Sequence, residues 1–299
     1  MYQLNLLMIS NNWEENGFIG PIKALTEKEI LPITNEVRNI ISNSKDFLQL
    51  RNKHLYSKLI QELCLNEIII NAVKDLMGSN LILWRTQIFK VNKNQGFGWH
   101  QDQYRTLLSE PTKHISLQIA LTKSTEDNCV FFIPGSHKMN SSELNEAGLY
   151  LEENCQLNIP QYYRSFKSSI KPVKMILEPG EFFIFHPSTL HASFDRRKEH
   201  CKAPKTVNQG SFLPVGRLWN RTVGVFNSLN FQSSPRLGVA MRITVPEVKV
   251  LPTAFEKTLP RIDKCVLLHG SNENGVNELD SWSVNDKTRV NEQSLIEVG

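Results

Sequence analysis

Apolar positions recur along this chain with two different periods. Up to Gly78 the period is helical, and residues from Ile19 to Gly78 read as a helical region. Ile30, Ile33, Val37, Ile40 and Ile41 fall on one face of an amphipathic helix. Thr26, followed three residues on by Glu29, is a capping box that predicts where this helix starts. Pro32 lies inside the pattern and predicts a kink or short break, because it lacks an N–H and crowds the preceding turn. A second amphipathic segment covers roughly His54 to Met77, with Leu55, Leu59 and Leu63 early and Ile69, Ile70, Val73 and Leu76 later. Gly78 is placed to cap it.

Beyond Gly78 the period changes to two. Leu81 to Val91 is rich in β-branched and aromatic residues. From Ile115 to Thr122, large apolar residues alternate with small or polar ones, as on a strand with two different faces. Further short strands are predicted at Cys129–Ile133, Val173–Leu177, Glu181–Phe185 and Leu237–Val245, with Pro134-Gly135-Ser136 and Glu178-Pro179-Gly180 as turns. Many short strands divided by turns predict a mainly β fold with flanking helices, a sandwich or barrel rather than a βαβ fold. No dinucleotide-binding glycine motif and no P-loop is present. Residues 1–270 read as one domain, with helices over about 19–78, and residues 271–299 as a polar tail rich in Asn, Ser, Glu and Asp.

Composition narrows the class. The chain has 299 residues, 40% of them hydrophobic and 21% charged, which excludes collagen-like and wholly disordered chains and leaves room for an enzyme core. A net charge of +4, spread along the chain, is too weak an electrostatic footprint for a nucleic-acid partner. Five scattered cysteines without a CxxC pair point to reduced thiols. No secretory leader pattern and no membrane-length apolar run is found, so a soluble cytoplasmic protein is expected.

The stretch Gly98-Trp99-His100-Gln101-Asp102-Gln103 is the most informative for chemistry. His100 and Asp102 are two apart, so on a strand both side chains leave the same face and can take two cis positions of a metal ion. A remote second histidine would complete the two-His-one-carboxylate facial triad of non-haem Fe(II) oxygenases. His191 is preferred to His186, which sits directly before a proline at a strand end. An oxygenase using 2-oxoglutarate also needs a cation for the acid's far carboxylate. Arg236, in Ser233-Ser234-Pro235-Arg236, and Arg242 both fit, and strand parity alone leaves the two open.

Taken together in this order, these residues resemble the phytanoyl-CoA dioxygenase family of Fe(II)/2-oxoglutarate oxygenases. The resemblance runs from about Asn16 to Pro246. It begins with Asn16-Gly17-Phe18 and Ala24-Leu25-Thr26, like the family's opening strand and helix, and includes Trp99-His100-Gln101-Asp102, Asn128 to His137, His191-Ala192-Ser193 and Pro235-Arg236. It implies a double-stranded β-helix core (jelly roll, cupin-like), with iron on His100, Asp102 and His191. It also implies that Arg236 holds the 2-oxoglutarate carboxylate, assisted by the Ser193 hydroxyl. The implied activity is hydroxylation of an unactivated C–H bond of a small metabolite by O2, with release of succinate and CO2. Desaturation, epoxidation or cyclisation at the same centre is the alternative within the class, and a cupin-like metal-binding protein the alternative outside it. Asp102 stands where related halogenases have a small residue, which argues against halogenation.

One departure from the family pattern bears on the arginine. Arg236 follows His191 by 45 residues, where about a dozen is usual, and the excess over about 196–226 reads as an inserted loop. Its basic residues, among them Arg196, Arg197, Lys198, Arg217 and Arg221, read as a solvated face or as a lid over an anionic or carrier-bound substrate. A second lid is expected between His137 and Lys171, around Tyr162, Tyr163 and Arg164. His137 reads as a turn residue near the site entrance, Trp99 as pocket wall or core, and one of Gln87, Lys90 and Gln118 as a contact of the co-substrate. The oligomeric state is left open.

Overall fold

The computed structural model describes residues 6–45, 48–92, 99–146, 161–162, 171–193, 235–251 and 264–282. The N-terminal part runs through α1 (Leu6–Asn16), β1 (Phe18–Lys23), α2 (Glu27–Asn43), α3 (Lys58–Cys64) and α4 (Glu67–Met77). Strands follow: β2 (Leu81–Val91), β3 (His100–Gln101), β4 (His114–Ala120), β5 (Val130–Phe132), β6 (Gln161–Tyr162) and β7 (Val173–Met175). The set closes with β8 (Glu181–Phe185), β9 (His191–Ala192), β10 (Arg236–Thr244), β11 (Cys265–His269) and β12 (Leu279–Asp280).

Among the described residues these strands form two sheets. The larger has the order β1-β8-β4-β10-β2-β11-β12 and the smaller β6-β3-β9-β5-β7. All pairings are antiparallel except β11 with β12. The architecture is mainly β, as the strand pattern predicts, and is the double-stranded β-helix that the family resemblance implies.

The alternation in β4 and β10 divides the larger sheet into two faces. Ile115, Leu117 and Ile119, with Leu237, Val239, Met241 and Ile243, join the helix residues Ile30, Ile33, Val37, Ile69 and Val73 in one buried core. The residues between them, Ser116, Gln118, Arg236 and Arg242, are also buried, but on the face turned away from the helices. The polar half of the alternation is therefore not a solvent face. It lines the space between the sheets, where Phe132, Phe183 and Phe185 pack as a second apolar cluster.

Local sequence explains most helix ends. The Thr26 capping box forms, with the Thr26 N–H donating to Glu29 Oε2 at 2.7 Å and the Glu29 N–H to Thr26 Oγ1 at 3.4 Å. Asn66 caps α4 by accepting from the Ile68 and Ile69 N–H groups, and this cap divides the second amphipathic segment into α3 and α4. Gly78 ends α4 with φ +87°.

Three expectations are corrected. Residues Phe18–Lys23 are strand, as the resemblance implied for the opening segment and not the helix that the apolar period from Ile19 predicted, because they pair with β8 along an otherwise open sheet edge. The break expected at Pro32 is absent. α2 is continuous, since the N–H that Pro32 lacks would only have served the carbonyl of Lys28 in the exposed first turn, while Ile30, Ile33 and Val37 hold the helix to the sheet. The chain beyond Ser271, expected as a tail, supplies β12 and packs Trp282 against the main core.

Gly180 is a clear backbone constraint. Its φ is +80°, its carbonyl accepts from Ala24 and Leu25, and a Cβ there would lie 2.1 Å from the Leu25 carbonyl oxygen. Gly180→Ala is expected to destabilise the fold by about 2 kcal/mol or more, from the strained φ and the displaced loop. Urea denaturation measures this, and an unchanged midpoint would contradict the constraint.

Candidate metal centre

The smaller sheet brings the expected donors together through its register. β3 pairs with β9 so that His100 lies directly opposite His191, with ring centroids 4.1 Å apart. Asp102 follows β3 on the same side as His100. Asp102 Oδ1 is 3.7 Å from His100 Nε2 and 3.8 Å from His191 Nε2. One donor atom from each of the three lies within 4.8 Å of the others, all three residues are buried, and theirs is the metal-capable cluster among the described residues. Separations of this size suit donors that share one ion about 2.1 Å from each.

The strands are too short to hold such a site unaided, and neighbouring groups pin them. Gln101, facing away from the donors, donates to the Ser188 carbonyl at 2.6 Å, and Gln103 to the Ser188 hydroxyl at 2.9 Å. These bonds tie the His100 strand to the turn that leads into His191. The Gly17 carbonyl accepts from the His186 N–H and the Thr189 hydroxyl, both at 2.8 Å, and Ser136 Oγ accepts from the Leu190 N–H at 2.8 Å. His191 Nδ1 lies 2.9 Å from the Thr189 carbonyl. A carbonyl can only accept, so Nδ1 carries the proton and Nε2 presents a lone pair to the centre.

Electrostatics favour the ligating forms. Burial, and then the adjacent His100, push the His191 pKa down to about 3, so its imidazole is neutral at pH 7. Burial works against a charged Asp102. Arg242, the two imidazoles and the Ser116 hydroxyl together overcome it and hold the carboxyl well below the usual carboxylate range. Arg242 Nη2 lies 2.9 Å from Asp102 Oδ2, and Ser116 donates to the same oxygen at 2.9 Å.

The two arginines left open by parity have different surroundings. Arg242 is engaged by Asp102 and, through Nε, by the Tyr104 hydroxyl at 3.2 Å. Arg236 donates from Nη1 to Gln118 Oε1 at 3.0 Å, and its buried Nε has no partner. No acidic group among the described residues pairs with Arg236, and burial lowers its pKa to about 10. A small, water-sized pocket beside it is lined by Gln118, Ala120, Leu177 and Gly238.

Other expected residues fall as follows. Ser193 is half-buried just after β9. His186 stays outside the donor cluster, edge-on to Trp13 and tilted against His137, and His137 lies in a short 3-10 turn (Ser136–Lys138). Trp99 packs in a core cluster with Cys129, Phe131 and Leu190. Gln87 accepts from Arg51, and Lys90 is exposed. The basic insert over 196–226, and Tyr163 and Arg164 of the other lid, lie outside the described residues. Sequence reading missed Ser116 and Tyr104 as neighbours of the centre. The polar face of β4 was a signal for Ser116, but its partner follows only from sheet register.

Comparisons with known proteins agree with this architecture. The profile of the family described as phytanoyl-CoA dioxygenase (PhyH) matches residues 13–202. Among solved structures, the non-heme monooxygenase ThoJ in apo form is similar with a TM-score of 0.65 and 17% identity, over 96% of this chain and 94% of that one. CytC3 with Fe(II) and alpha-ketoglutarate gives 0.59 and 21%, over 94% of each chain. The epimerase SnoN, in complex with Fe3+, alpha-ketoglutarate and nogalamycin RO, gives 0.60 and 16%, over 86% and 90%. No curated protein sequence matches the chain significantly.

The buried histidines give a stability signature. His191 and His114, both held near a pKa of about 3 chiefly by burial, are neutral when folded but bind protons near pH 6.5 when unfolded. Their contribution is complete above about pH 6.5 and is lost as pH falls toward 3. Lowering the pH from 7 to 5 should therefore reduce the stability of the metal-free protein by roughly 1–2 kcal/mol for each. Urea midpoints at the two pH values measure this, and coincident midpoints would mean that both rings ionise freely in the fold.

Proposed function

The chain belongs to the phytanoyl-CoA dioxygenase family, and from that premise we propose that it is an Fe(II)- and 2-oxoglutarate-dependent oxygenase that hydroxylates an unactivated C–H bond of a small metabolite. One observation carries the reading. The same face of β10 borders a three-donor cluster near Arg242 and, six residues away, holds a buried guanidinium without an acidic partner. Bound iron and 2-oxoglutarate, with O2, supply the oxidising power for such a reaction.

The chain's own residues then have distinct tasks. His100, Asp102 and His191 would hold the metal, which with only three protein donors could still take co-substrate and oxygen. Arg236 receives the far carboxylate. With Nη1 occupied by Gln118, its Nε and Nη2 edge remains for a bidentate, charge-assisted pair. Gln118 orients that guanidinium, and Ser193, two residues past His191, adds a hydroxyl for the same carboxylate. Gly238 and Ala240, between the two arginines on their face of β10, keep the floor of the site low where an extended diacid must lie.

Hydroxylation is the finer part of the proposal, and succinate and CO2 are its co-products. The anionic or carrier-bound character of the substrate rests on the basic residues of the insert. The described cysteines Cys64, Cys129 and Cys265 are buried free thiols, which supports a reducing, cytoplasmic compartment. No helix among the described residues is long and apolar enough to cross a membrane.

Anaerobic titration of the protein with Fe(II) and 2-oxoglutarate tests the reading and should give the weak visible charge-transfer band of the chelate. His100→Ala and Asp102→Ala should each abolish the band and succinate formation, and a wild-type protein without the band would favour a metal-binding protein of another kind. Arg236→Met should raise the 2-oxoglutarate requirement far more than Arg242→Met. The reverse order would transfer the anchoring role to Arg242. Product analysis with the true substrate separates hydroxylation from desaturation, cyclisation or epimerisation.

A further inference from the structure

The two oxygens of the Asp102 carboxylate are treated differently by the protein. Oδ2 accepts from both Arg242 Nη2 and Ser116 Oγ, each at 2.9 Å. Oδ1 faces only the imidazole Nε2 atoms, at 3.7 and 3.8 Å, too far for hydrogen bonds. Both donors to Oδ2 come from the larger sheet, while Asp102 follows a strand of the smaller one. Arg242 and Ser116 are direct neighbours in the β10–β4 register, so the two donors converge from adjacent strands. Arg242 is itself aimed by a third contact, Nε to the Tyr104 hydroxyl, and its guanidinium carbon sits 5.8 Å from the Tyr104 ring centre.

We propose that Arg242 and Ser116 are positioning residues that hold Asp102 to the metal through Oδ1 alone, keeping Oδ2 out of the coordination sphere. This rests on the reading of His100, Asp102 and His191 as metal ligands. A carboxylate free to rotate can bind through both oxygens. Here that would fill a position which the chemistry needs open. Engaging Oδ2 with a charged, two-point hold removes the option. The two arginines of β10 thus divide the work. Arg236 is available for an incoming carboxylate, and Arg242 is committed to one the protein already contains.

A merely structural ion pair, tying β10 to the segment after β3, would leave the coordination geometry unchanged when broken in a folded protein. Cobalt(II) replaces iron as the probe, because its visible bands report coordination number and geometry without turnover. The full chain is loaded anaerobically with cobalt(II), and the spectra of wild type, Arg242→Met, Ser116→Ala and Arg236→Met are compared before and after 2-oxoglutarate is added.

Arg242→Met is expected to alter the bands before the co-substrate is added. Ser116→Ala, which removes only the hydroxyl, should alter them in the same direction by less. Arg236→Met should match wild type at that stage and differ only in its response to 2-oxoglutarate. With iron, Arg242→Met should lower succinate formation by about 10- to 100-fold. Wild-type cobalt bands in both folded Arg242→Met and Ser116→Ala overturn the proposal. If Arg242→Met does not fold, the Ser116→Ala spectrum decides alone, shifted in support or unchanged against. A wild-type chain that takes no cobalt would instead remove the metal centre itself, and this proposal with it.

Discussion

The pairing of two very short strands, β3 and β9, is the constraint on which the site depends. It sets His100 opposite His191, residues 91 apart in sequence, at a ring separation of 4.1 Å. A two-residue strand contributes little pairing energy of its own, so the register must be fixed from outside. Gln101 and Gln103 on one side, and Gly17 and Ser136 on the other, bond to the 186–190 turn and prevent it from slipping. A slip of either strand by one residue would turn its own imidazole to the opposite face, away from the other. The N-terminal segment around Gly17, far from the donors in sequence, is thus part of what holds them.

The larger sheet has the complementary task. Its apolar face is fixed by α2 and α4, and that rigidity lets its other face carry buried polar groups at set spacing. Ser116, Gln118, Arg236 and Arg242 are each buried, which is costly for polar and charged groups unless they are partnered. Three of them satisfy one another or Asp102. The aromatic filling between the sheets also reaches the centre, with Phe185 at 4.4 Å and Phe132 at 5.8 Å from the His191 ring. That apolar wall causes the desolvation that keeps the imidazole neutral.

Much of this was legible from residue order, for reasons that can be stated. Strands β2, β4, β8 and β10 fall within a residue or two of their predicted positions, because β-branched and aromatic composition, the alternation in β4 and the flanking turn residues mark them locally. The donor pair His100 and Asp102 was legible through its spacing, and His191 through the proline that follows His186. β1 was not, because Ile19 and Ile22 also fit a helical repeat. Gly20-Pro21 was the local signal against a helix, and edge pairing with β8 settles the matter. Ser116 and Arg242 could be assigned to a face by parity. That they meet on a single carboxylate oxygen follows from register between strands far apart in sequence, which no local pattern contains.

The contrast between the two buried arginines completes the physical argument. A guanidinium sheltered from water and lacking a counter-charge is costly, and burial alone lowers the Arg236 pKa to about 10. Arg242, equally enclosed but set against Asp102, has its pKa raised, because the attraction to the carboxylate outweighs the desolvation. If both arginines served only to join strands, the sheet would be expected to satisfy both. It satisfies one fully and leaves the Nε of the other bare beside a pocket floored by Gly238. The missing counter-charge at Arg236 has the chemistry of an anionic ligand, a planar carboxylate that can accept two parallel hydrogen bonds. The one already present at Arg242 has the chemistry of a metal ligand held by its back oxygen. On the proposed reading, a single strand face carries both halves of a site that takes one carboxylate from the protein and another from outside it.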